Sequence, residues 1–217
     1  MNKARALVIF ATVAILMSTM VGSLKPVMSQ SESTWVGETI YIRADGSIEP
    51  SDAPIISSDN RTYIITSDIK IVYGDGIVIE RDNVILEGGG HTIRGAACCS
   101  GILLTNRVNI SIKNLVITNF TYGVYLSRSS GTTIENNTIS NNLAGIYMYS
   151  SNNNTIESNT ISNNSIGIEL LESNNIHIIN NTISNNLAGI YMYSSNNNTI
   201  ESNTISNNSI GIELLES

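Results

Sequence analysis

The chain has 217 residues, a formal net charge of −7, and only 13% charged residues against 41% hydrophobic ones. Beyond Arg128 there is neither Lys nor Arg. The clustered cations that neutralise phosphate are therefore missing, which excludes a nucleic-acid partner and disfavours an anionic membrane surface. With so few charges, solubility rests on amides and hydroxyls, with attached sugar as a further means.

The N-terminal run MNKARALVIFATVAILMSTMVGS has a basic start, an apolar stretch from Ala6 to about Gly22, and then small residues. This is the pattern of a secretory signal, and residues 1–30 are expected to be a leader cut after Ser23 or Ser29. The run is also close to the shortest span that crosses a bilayer, so an uncleaved anchor is the competing expectation and the only route to a membrane. Either way the chain is expected to be secreted, extracellular or on the cell surface.

Residues 31–75 are less periodic, with strand-like runs ETIYIRA (38–44) and TYIIT (62–66) separated by turn signals at Asp45-Gly46, Pro50 and Pro54. They are expected to form an N-terminal cap, because the first turn of any stacked array exposes apolar core and unpaired strand edges.

From residue 76 to 217 the chain repeats. Gly76 opens a turn of 25 residues, GIVIERDNVILEGGGHTIRGAACCS, whose extra length is expected near 96–100. Units of 22 residues then begin at Gly101, Gly123, Gly145, Gly167, Gly189 and Gly211. Apolar columns recur in phase: Ile102, Val124, Ile146, Ile168, Ile190, Ile212; two residues on, Leu104, Leu126, Met148, Leu170, Met192, Leu214; then Ile112, Ile134, Ile156, Ile178, Ile200; and Ile117, Ile139, Ile161, Ile183, Ile205. A spacing of two is strand spacing, so each unit is predicted to carry three short strands.

Asparagines also align, at Asn137, Asn159, Asn181, Asn203 and at Asn119, Asn141, Asn163, Asn185, Asn207. Asparagine accepts left-handed geometry and bonds to local backbone, so both columns are expected at corners, where stacking about 4.8 Å apart also permits amide ladders. The predicted fold is all-β, a single-stranded parallel β-solenoid. Disorder does not account for four apolar columns in phase, and a leucine-rich repeat needs an L-x-x-L-x-L-x-x-N frame that is not present. Residues 136–173 recur without a difference at 180–217, a duplication of two units. The chain stops a few residues into a turn. A truncated C-terminus is expected, with end-to-end self-association at the open rung as the alternative.

The stretch DGIVIERDNVILEGGGHTIRG (75–95), followed by units of the GIYMYSSNNNTIESNTISNN kind, resembles the NosD-like right-handed parallel β-helix proteins. These are also called carbohydrate-binding and sugar-hydrolysis (CASH) domains. TIYIRADGSIEPSDAPI (39–55) is similar to secreted or surface β-helix proteins of archaea. The resemblance covers about residues 38–217 and implies a right-handed coil. It also implies, for the NosD type, a role in copper delivery to nitrous oxide reductase, although the repeat class is broader than that role.

Candidate chemistry is sparse. β-helix glycosidases, lyases and epimerases use clustered aspartates, yet the last aspartate is Asp82, before the regular units. No catalytic residue is assigned. The pairs Glu169/Glu172 and Glu213/Glu216 repeat along the stack and fit a solvated face. No cofactor is expected, with copper as the alternative: His91, Cys98 and Cys99 share one irregular turn and suit a soft metal, whereas adjacent cysteines also suit a vicinal disulfide in an oxidising compartment. His177 is expected to be an inert outward residue, and Met148 and Met192 to be packing.

The outward face of the first strand offers more. Tyr125, Tyr147, Glu169, Tyr191 and Glu213 form one column, and Tyr149 and Tyr193 lie in the next. Tyrosines interleaved with carboxylates can stack on sugar rings and accept hydrogen bonds from hydroxyls, so glycans or surface proteins are the expected partners. Tyrosine's strand propensity explains the same column without a ligand. N-x-S/T sequons begin at Asn60, Asn109, Asn119, Asn136, Asn153, Asn163, Asn180, Asn197 and Asn207, and on an exported chain they are candidate glycosylation sites.

Overall fold

The computed structural model describes residues 33–217; the leader expected at 1–30 lies outside them. The described chain contains strands and no helix. It winds as a right-handed parallel β-solenoid with three sheets running along its length. In each regular turn a six-residue strand joins the first sheet and two three-residue strands join the second and third, as in Ala144–Tyr149, Thr155–Glu157 and Thr160–Ser162. Pairing between turns is parallel and offset by one unit: Ile146 faces Val124 and Ile168, Ile156 faces Ile134 and Ile178, and Ile161 faces Ile139 and Ile183.

The apolar columns are the core. Ile102, Val124, Ile146, Ile168 and Ile190 are each 0% exposed, in one unbroken row. β-branched side chains with one preferred rotamer suit such stacking. The recurring glycine is required by close approach. A Cβ at Gly145 would lie 2.6 Å from the carbonyl oxygen of Gly167 and 2.8 Å from Cγ2 of Ile161.

The corners separate two asparagine roles that look alike in sequence. The Asn119, Asn141, Asn163, Asn185, Asn207 column is left-handed, with φ between 55° and 64°. The Asn137, Asn159, Asn181, Asn203 column is not. There the left-handed residue is the one before, in Asn136, Ser158, Asn180 and Ser202, and the second residue turns inward as a ladder. The side-chain oxygen of Asn159 accepts from the backbone N–H of Asn137 at 2.9 Å, and its nitrogen donates to the Ile134 carbonyl at 2.8 Å and to the Asn181 side chain at 3.0 Å. A second amide ladder runs through Asn142, Asn164, Asn186 and Asn208. A hydroxyl ladder runs through Ser129, Ser151, Ser173 and Ser195. They satisfy corner N–H groups that the sheets leave unpaired.

One turn precedes Gly76. Ile40–Ile42, Thr62–Ile65 and Ile69–Ile71 pair in register with the strands of the next turn. Two antiparallel partners, Ile48–Glu49 on the first sheet and Ile55–Ile56 on the second, cover its outer edges. Tyr63 is fully buried, donating its hydroxyl to the Gly46 carbonyl at 2.9 Å. Arg43 joins this region to the solenoid through ion pairs with Glu49 and Glu80.

Candidate functional site

Strands of the first sheet bring three tyrosines together. Tyr125 and Tyr147 are in register and stacked, with ring centroids 5.2 Å apart and planes 16° off parallel. Tyr122 joins them at 5.3 Å from Tyr125 and 4.8 Å from Tyr147. Sequence reasoning missed Tyr122, because it closes one unit instead of opening the next. Its signal was positional: it occupies the strand position held by Ser100 and Ala144 in neighbouring turns.

Glu169 follows Tyr147 in the column. Burial holds its carboxyl above the usual carboxylate range, since removal from water disfavours the charged form. The same burial, and then the Glu169 charge, push the Tyr147 phenol up to about 12 and raise that of Tyr122. The result is an aromatic shelf ending at a carboxyl that retains its proton more tightly than a free one. Tyr191 and Glu213 continue the column, while Tyr149 and Tyr193 form the parallel one, separated by Leu171.

The irregular turn is arranged differently. His91 sits at the corner between the second and third sheets, with its Nδ1 3.5 Å from Asp68. Cys98 and Cys99 sit beyond the strand Thr92–Arg94, at the next corner. Both are free thiols, their sulfurs 2.9 Å apart. The neighbouring Cys98 thiol and then burial push Cys99 up to about 11. Among the described residues no three His, Cys, Asp or Glu side chains gather closely enough to hold a metal ion. A thiol is a ligand as its thiolate, and the upward shift at Cys99 works against that form.

All nine sequon asparagines have positive φ, between 52° and 64°. All but Asn119 are exposed; Asn119 is half-buried and donates to the Gly95 carbonyl at 2.7 Å.

These features define a right-handed parallel β-helix with an aromatic strip on one sheet. The family model for the periplasmic copper-binding protein NosD matches residues 33–217, and the chain belongs to that family. Membership supports an extracytoplasmic location in general. Among solved structures, the chain is similar to the A-module of the mannuronan C-5 epimerase AlgE6 of Azotobacter vinelandii (18% identity, 86% of this chain and 71% of that one, TM-score 0.47). It is also similar to a mutant of the periplasmic alginate epimerase AlgG (23% identity, 71% of this chain and 42% of that one, TM-score 0.41). A search of curated proteins finds no match.

Proposed function

We propose that this protein is a secreted or cell-surface rod that binds carbohydrate through the outer face of its first sheet. The observation that carries the reading is the contact of Tyr122, Tyr125 and Tyr147 beside the half-buried Glu169. Three rings on a rigid sheet offer apolar area at little entropic cost, and sugars present C–H faces that pack on such rings. The Glu169 carboxyl adds a directional partner for a hydroxyl, as an acceptor when ionised and a donor when protonated. Nothing in this arrangement needs a cofactor.

The test is a glycan array probed with the intact chain and with Tyr147→Ala/Tyr191→Ala. A set of glycans bound by the parent and lost in the variant, with far-UV circular dichroism unchanged, supports the reading. Equal binding by both refutes it. The family's description favours a second reading, copper binding. That reading predicts stoichiometric copper uptake abolished by Cys98→Ser/Cys99→Ser, and an isothermal titration without such uptake removes it.

A further inference from the structure

The sequons follow a rule that the corners themselves do not require. Between the first and second sheets, successive turns place Asn109, Gly131, Asn153, Asn175 and Asn197 at the left-handed position, and sequons begin only at 109, 153 and 197. Between the second and third sheets the position is held by Asn136, Ser158, Asn180 and Ser202, with sequons at 136 and 180. At the corner back to the first sheet, Asn119, Asn163 and Asn207 begin sequons, whereas Asn141 and Asn185 do not. Every corner skips a turn.

Backbone chemistry explains the asparagines and leaves the skipping unexplained. Asn141, Asn175 and Asn185 keep the left-handed residue in the skipped turns, but two residues on stand Leu143, His177 and Leu187 in place of the hydroxyl. The 44-residue duplication copies the alternation among later turns; Asn109 and Asn119 lie outside the duplicated stretch and keep the same phase. Stacked turns are about 4.8 Å apart, which brings the attachment points on neighbouring turns closer than substituted sugar rings can sit side by side; skipping a turn gives about 9.6 Å.

The local geometry suits an acceptor. In Asn136-Asn137-Thr138 the first and third residues are exposed and the middle one is 2% exposed, so amide and hydroxyl share the outer surface while Asn137 joins the inner ladder. The side-chain nitrogens of Asn136, Asn153, Asn180, Asn197 and Asn207 donate no hydrogen bond to any described residue.

We propose that these corners are N-glycosylated, with acceptors staggered two turns apart in three rows along the rod. The donor class is a sugar linked to a lipid phosphate, used by a membrane oligosaccharyltransferase. The asparagine nitrogen attacks the anomeric carbon, the new C–N bond forms as the anomeric C–O bond breaks, one proton passes from nitrogen to a base of the transferase, and the lipid phosphate leaves with the bonding electrons. There is no net oxidation. The inference requires export and is independent of the tyrosine face.

The experiment is glycopeptide mass spectrometry on the full chain, recovered from the envelope or medium of a host that N-glycosylates exported proteins. Modification is expected at Asn136, Asn153, Asn180, Asn197 and Asn207, and lower occupancy at Asn119. Unmodified sequons in the exported chain overturn the proposal. Ser158→Asn tests the stagger: it creates a sequon one turn from both Asn136 and Asn180, at a position whose φ of 57° asparagine accepts. Occupancy at position 158 is expected only at the expense of its two neighbours. Full occupancy of all three sites on one molecule overturns the two-turn spacing.

Discussion

At the scale of single residues, one residue type does two unlike jobs. In the pairs Asn136-Asn137, Asn141-Asn142, Asn163-Asn164, Asn180-Asn181 and Asn185-Asn186 the first asparagine takes the left-handed bend and the second hangs its amide inside the coil, bonded to the turns above and below. Asn159→Ala is therefore expected to leave the Asn137 N–H and the Ile134 carbonyl without their present partners, at about 1–3 kcal/mol for each buried group left unsatisfied. A lowered urea midpoint with unchanged slope would report it. Protonation tests the site in the same way. Glu169 binds its proton more tightly folded than unfolded, so its contribution is complete below the ordinary carboxylate value and is lost as pH rises through the folded one. Tyr147 repeats this between 10 and about 12. Glu169→Gln should flatten the first decline in midpoint against pH, and Tyr147→Phe the second.

At the scale of a turn, packing leaves little tolerance. Gly145→Ala would push a methyl into the Gly167 carbonyl, and is expected to cost about 1–3 kcal/mol by overpacking, measured as a fall in melting temperature. Ile156→Asp would place an unpaired charge in the row Ile134, Ile156, Ile178 and should expose the adjoining turns to protease. The columns that make these predictions were legible in the sequence, because a fixed 22-residue period shows which residues share a row. Three things were not. The turn formed by Ile40–Ile42, Thr62–Ile65 and Ile69–Ile71 is interrupted by two antiparallel strands, and the interruption hides its period. The inward amide and the left-handed amide are both written as asparagine, and only the backbone tells them apart. Tyr122 joins the aromatic shelf across a boundary that the repeat notation itself draws. Tyr125, Tyr147 and Glu169 were legible because a period of two puts them on the outer side of a strand whose inner side is plainly apolar.

At the scale of the whole molecule, each turn contacts its neighbours through the same residues, so stability is a sum over turns and interfaces. Inserting another copy of residues 145–188 after residue 188 should therefore fold, raising the denaturant slope in proportion to the added surface. A slope unchanged from the parent would mean that the added turns do not join the cooperative unit. The identical stretches 136–173 and 180–217 have a further consequence. Either one presents the same mating surface to whatever precedes it, so gain or loss of a 44-residue block changes only reach, in steps of about 9.6 Å. Heredity can adjust such a gauge by unequal crossing-over, without inventing a single new contact.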